Sequence, residues 1–216
     1  MNLDVIFVPQ GIEYKTVRRA LNPPDRRLVV AIPVGIEPVR QFLQTWKAQN
    51  PQVSRVLVMG LGGSLSSQFP VGAGTLCREC ITIDGSMVSS DLGWIRSSQP
   101  HLDLPLTRVC TVEQPVDRAE AKRQLHQTTQ ADLVDMEGMA VFEAFPTAAM
   151  VRVVSDGCDR DLPDLSNTLD ATGTLKPRSL ALAFLRRPLP AFHLIRGSIA
   201  ALRTLSTLSR SLQLLQ

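Results

Sequence analysis

Short apolar runs rich in β-branched residues recur along the chain at positions 5–8, 28–34, 55–59, 82–84, 107–112, 133–136 and 150–154. Gly, Pro, Asp or Asn bounds most of the runs, and short apolar runs of this kind fit strands buried on both faces of a mostly parallel sheet. Stretches with helical spacing separate several of them. Residues 37–49 put Val39, Phe42, Leu43 and Trp46 on one face, and residues 118–128 are rich in good helix formers. Alternating strands and helices predict an α/β fold, a three-layer αβα domain around a mixed, mostly parallel central sheet.

A chain of 216 residues buries one substantial core and leaves little room for a second. Its 44% hydrophobic and 20% charged residues are those of a soluble globular domain. A net charge of +3 and 5% aromatic residues provide neither the basic stripe nor the stacking platforms that nucleic acid requires, so no nucleic-acid partner is expected. Four cysteines, Cys77, Cys80, Cys110 and Cys158, without a secretory pattern at the N-terminus, point to a reducing cytoplasm. Cys77-x-x-Cys80 is half of a zinc site, but the other cysteines are isolated and no His pair stands at ligand spacing, so no metal is expected.

In such sheets ligands bind beyond the carboxyl ends of the strands, which directs attention to three of them. Gly60-Leu61-Gly62-Gly63-Ser64 lets the backbone turn sharply and approach a ligand, although it has neither phosphate-loop nor dinucleotide spacing. Asp135-Met136-Glu137-Gly138 carries two carboxylates two residues apart, so in an extended segment they share one side while Met136 takes the other. Glu137 then stands either as the cap of the following helix or as a site residue. Asp156 ends an apolar run in Arg152-Val153-Val154-Ser155-Asp156, where an aspartate serves equally as a helix cap or as a functional acid.

Two of these segments resemble known motifs. Asp135-Met136-Glu137-Gly138-Met139-Ala140 is similar to the Glu-Met-Glu-Gly/Ala-Ala-Ala motif of the nucleoside phosphorylase/nucleosidase superfamily, which includes purine nucleoside phosphorylase and methylthioadenosine/S-adenosylhomocysteine nucleosidase. Arg152 to Asp156 resembles its Arg-x-x-Ser-Asp motif at the expected distance downstream. The tail segment Leu185-Arg186-Arg187-Pro188 and Asp159-Arg160-Asp161-Leu162-Pro163 look like the hopanoid-associated branch, which removes adenine from adenosylhopane.

The resemblance implies cleavage of the N-glycosidic bond of a purine nucleoside, by hydrolysis or by phosphorolysis with phosphate as co-substrate and no other cofactor. It implies that Asp156 protonates the base, that Glu13 activates water and that Glu137 holds the ribose hydroxyls. Val134, Asp135, Met136, Gly62 and Gly63 would line the substrate, with Ser155 and Arg152 holding the acids in place. It also implies a homodimer. Residues 1–170 would form the catalytic domain and 171–216 a C-terminal helical appendage of the same domain. Leu61 and Gln114 depart from the family pattern, which leaves open a catalytically silent nucleoside-binding protein on the same fold.

No acid follows Asp170, while Arg196, Arg203 and Arg210 recur every seven residues among Ile195, Ile199, Leu202, Leu205, Leu208, Leu212 and Leu215. This spacing predicts a basic amphipathic helix. Its apolar stripe either packs on the domain or a partner subunit, or lies peripherally on an anionic membrane surface.

Overall fold

The computed structural model describes residues 3–98, 102–170, 172–174 and 176–212. The first strand, β1 (Val5–Pro9), is buried throughout and shows how the layers form. Alternate side chains go to opposite faces of a strand. Val5 and Phe7 therefore join one core with α2 (Ile36–Gln49) and α5 (Gly138–Ala144), while Ile6 and Val8 join another with α1 (Ile12–Ala20) and α7 (Pro188–Ser211). Helices on both faces of one mixed sheet make the three-layer α/β fold that the alternation of runs predicts.

The remaining strands are β2 (Val29–Ile32), β3 (Val56–Ser64), β4 (Gly74–Ile81), β5 (Met87–Ser89), β6 (Leu106–Thr111), β7 (Leu133–Asp135) and β8 (Ala149–Asp156). Among the described residues, β1–β2, β1–β3, β3–β8, β4–β6 and β6–β7 pair parallel, whereas β3–β7, β4–β5 and β4–β8 pair antiparallel. The pairings β3–β8–β4–β6–β7–β3 close a ring, with β1 and β2 extending it on the β3 side. Closure depends on a slip in β3. Its register with β8 shifts between Gly62 and Gly63, after which Gly63 and Ser64 pair with Val134 and Leu133 of β7. That switch brings the carboxyl ends of β3, β7 and β8 to one place.

One expectation needs correction. Residues 82–84 form no strand. Thr82 and Ser86 close a hairpin turn in which Gly85 takes a positive φ of 91°, and the Asp84-Gly85 turn pair outweighs the β propensity of its neighbours. The strand lies before it, in β4, where Arg78 and Glu79 hide the apolar pattern. A register shift between Cys77 and Glu79 bulges Arg78 outward, so Cys77 and Cys80 both enter the core. Burial pushes the Cys77 thiol up to about 12, as befits an inert packing residue.

The tail helix spans the end of the sheet that carries β8, β3 and β4 and also packs on α1. Ala201, Leu205 and Leu212 are core residues there, while Arg196, Arg203 and Arg210 face solvent. Its C-terminal half therefore packs on the domain; Leu215 lies outside the described residues. Before it, α6 (Pro177–Arg186) packs on α7. No helix of the described residues is long and apolar enough to cross a membrane.

Candidate active site

The strand switch opens onto a cavity of about 760 Å³. Polar residues reach it from three separated segments: Glu13 from the first turn of α1, Glu137 from the junction of β7 and α5, and Asp156 from the end of β8. Gly62, Gly63, Val134, Asp135, Met136 and Ser155 also line it. Arg152 does not. It lies beneath, fully buried, at a β8 position whose neighbours Met150 and Val154 point into the α2/α5 core. The opposite wall is apolar and comes from the loop after β8 and from the tail, notably Leu165, Leu180, Phe184, Leu194 and Ile195.

Arg152 organises the acids. Its Nε and Nη2 both donate to Oδ2 of Asp135, and Nη2 also reaches Oε2 of Glu137 at 3.4 Å. Asp135 is fully occupied by structure. Its Oδ1 accepts from the Thr111 hydroxyl at 2.6 Å and its Oδ2 from the Gly138 amide at 3.0 Å, so Asp135 satisfies an orphan donor at the start of α5. Glu137 sits at the N-cap position of that helix, but its side chain makes no cap bond. Its Oε1 instead accepts from the amide of Gly35 at 3.3 Å, where the chain enters α2 with a φ of 101° that only glycine takes without strain. Of the two acids sharing a side, Asp135 caps and Glu137 faces the pocket.

Electrostatics follow from this burial. Desolvation, ahead of repulsion from Asp135 and Glu13, pushes the Glu137 carboxyl up to about 8 despite the Arg152 guanidinium. Burial also raises Glu13, against the opposing pull of the Leu61 amide, which donates to its Oε2 at 2.7 Å. A Cβ on Gly60 would stand 2.6 Å from Arg152 Nη1 and 2.7 Å from Glu13 Oε2, so only glycine lets the guanidinium and the carboxylate approach the strand here. Arg152 Nη1 has no hydrogen-bond partner in the protein, although it is buried.

At the other end of the constellation, Asp156 Oδ1 accepts from the Ser155 hydroxyl at 2.6 Å, and Oδ2 pairs with the ammonium of Lys122. Lys122 belongs to α4 (Ala119–Thr129) and was not among the residues expected from sequence. A signal existed: it stands three residues after the buried Ala119, on the inward stripe of the helix. The tail wall was also missed, because its side chains meet the acids only through tertiary packing. Among the described residues, no cluster of His, Cys, Asp or Glu is placed to hold a metal ion.

No protein-family model matches the chain, and no curated protein matches it. Solved structures do. A 5′-methylthioadenosine/S-adenosylhomocysteine nucleosidase from Helicobacter pylori, bound to butyl-thio-DADMe-Immucillin-A, superposes with a TM-score of 0.64 at 14% identity, over 96% of this chain and 98% of that one. The chain has the nucleosidase fold. A futalosine hydrolase mutant of H. pylori strain 26695 gives 0.63 at 15% identity, covering 95% and 98% of the two chains. The 5′-methylthioadenosine nucleosidase of Arabidopsis thaliana gives 0.62 at 15%, covering 100% and 98%. The last of these matches spans the whole of this chain, α6 and α7 included.

Proposed function

We propose that the chain is an N-glycosidase that removes the base from a purine nucleoside by hydrolysis. The observation that supports this best is the convergence of Glu13, Glu137 and Asp156 on one cavity with Arg152 beneath them. Breaking a nucleoside C–N bond builds positive charge on the ribose and negative charge on the departing base, as in glycoside hydrolysis. Asp156 would answer the base, as proton donor to the purine N7. Glu137 would accept hydrogen bonds from the ribose hydroxyls and, as a carboxylate, favour the cationic ring. A water held between the Glu13 carboxylate and the unpaired Arg152 Nη1 would be oriented and deprotonated by Glu13. Phosphate is a poor nucleophile for this site. The guanidinium is already committed to Asp135 and Glu137, and a phosphate dianion would meet carboxylates on the same side.

The apolar wall bears on substrate. An adenine nucleoside whose ribose carries an apolar extension, adenosylhopane being the case the motif resemblance suggests, would lay that extension against Phe184, Leu194 and Ile195. The test is release of free adenine from adenosine and from 5′-alkylthioadenosines of rising chain length, with and without phosphate. Release is expected to be independent of phosphate and to improve with chain length. Because kcat/KM reports the free enzyme, its acid limb should bend near pH 8, where Glu137 loses its proton. Absence of release from every nucleoside would leave a silent nucleoside-binding protein.

The rim of the same wall supports peripheral membrane contact as a further part of this proposal. Leu185, Leu189 and Phe192 are 79%, 73% and 59% exposed, and Arg178, Arg186 and Arg196 on the same two helices are exposed as well. Apolar insertion and attraction of about 1 kcal/mol per basic residue would act together on an anionic bilayer. Deleting α7 would remove core residues, so point variants are the right probe. Leu185→Asp with Phe192→Asp should abolish co-sedimentation with anionic liposomes, and binding equal to wild type would refute the contact.

A further inference from the structure

Lys122 is a buried charge that the scheme above leaves unused. Its side chain is 0% exposed, and it does not line the cavity. Burying an ammonium is costly unless the group is paired and hydrogen-bonded. Here its Nζ donates to Asp156 Oδ2 and, at 2.8 Å, to the carbonyl of Gly157. The helix that delivers it is pinned at its first turn. Asp161 Oδ1 accepts from the Ala119 amide at 3.0 Å, the Leu162 amide donates to the Asp117 carbonyl at 2.7 Å, and Arg187 of the tail reaches Asp161 at 3.3 Å. The ammonium thus stands behind the carboxyl. The cavity lies in front, where 12% of the Asp156 side chain remains exposed.

We propose that Lys122 is a positioning residue for this chemistry, a role that rests on the N-glycosidase reading: it holds the Asp156 carboxyl toward the cavity and resupplies the proton that the leaving base takes. As the electron pair of the C1′–N9 bond departs with the purine, the Lys122 ammonium passes one of its protons to the Asp156 carboxylate, which hands it on to N7. Asp156 therefore begins and ends as a carboxylate, and the neutral amine left on Lys122 regains a proton from solvent once the base has gone. An ion pair with a purely structural role would be kept by any cation that holds Asp156, so Lys122→Arg would then restore adenine release. A proton supply matters only where the leaving group needs a proton.

The experiment compares adenine release from adenosine or the best 5′-alkylthioadenosine with release of p-nitrophenolate from p-nitrophenyl β-ribofuranoside, whose leaving group departs as a stable anion. Lys122→Met should lower kcat for adenine release by about 100-fold, the usual range for lost acid catalysis, while p-nitrophenolate release falls by less than about threefold. Lys122→Arg keeps the charge but not a transferable proton, so it should remain low on the purine and near wild type on the phenyl riboside. Should Lys122→Met fail to fold, the double variant with Asp156→Asn leaves no unpaired charge, and it should match Asp156→Asn alone on the purine. Equal losses on both substrates, unchanged adenine release in Lys122→Met, or a double variant well below Asp156→Asn would overturn the role. Wild-type protein that releases neither adenine nor p-nitrophenolate would overturn the N-glycosidase reading itself, and the role with it.

Discussion

Asp156→Asn is expected to lower kcat for adenine release by about 10²–10⁴-fold, the range lost when a positioned general acid is removed, with KM changed by no more than about threefold. Asn keeps the shape of the side chain, an acceptor oxygen for Lys122 and a partner for Ser155, so the fold should survive with a lower melting temperature, because the buried Lys122 ammonium loses its counter-charge. What it lacks is a proton that can be passed to the base. Leaving-group activation develops in the transition state and hardly exists in the ground state, which is why kcat should carry the loss. Steady-state kinetics with far-UV circular dichroism as the folding control would decide. A variant that turns over like wild type would remove Asp156 from the chemistry and with it the main support for base protonation in this cavity.

Arg152→Met should cost about 3–5 kcal/mol of stability, the usual penalty for removing one partner of a buried ion pair. Arg152 and Asp135 have side chains that are 0% exposed and that of Glu137 is 6% exposed, so no solvent would replace the lost cation. At a few degrees per kcal/mol for a chain of this size, the midpoint of thermal unfolding should fall by roughly 10 °C at pH 8. The sign of the pH dependence follows from Glu137, which burial already raises to about 8. A carboxyl raised in the folded state contributes stability below its unfolded value and loses it as pH rises through the folded value. Without Arg152 the Glu137 carboxyl would rise further, so the deficit should shrink toward pH 5 and widen toward pH 9. Neutralising Asp135 in the same protein, as Asp135→Asn, should restore part of the loss. Unfolding within a degree or two of wild type at pH 8 would show that Arg152 does not hold the acids together.

The layers were legible because short runs rich in β-branched residues, such as 5–8 and 150–154, have few other uses in a chain of this composition. β4 was not. Its Arg78 and Glu79 are accommodated by a bulge, and a bulge is decided by pairing with β6. α1 was passed over because its residues are mostly polar, with only Val17 fully buried. Glu137 and Asp156 were visible as acids at apolar strand ends, where each could equally cap a helix or serve a site. The choice between cap and site for the acids at the end of β7 was invisible, since Asp135 and Glu137 look alike until Gly138, Thr111 and Gly35 are placed around them.

By itself, then, the sequence determined the class of fold, the strand ends worth examining and the acids at two of them, because hydrophobic period and local turn chemistry act over a few neighbouring residues. Only the tertiary structure decided which of those acids are spent on packing, which ammonium stands behind Asp156 and which wall faces the acids. The register slip at Gly62 and Gly63 and the docking of α7 across β8 are long-range contacts, and the burial that lifts Glu137 to about 8 exists only after they form.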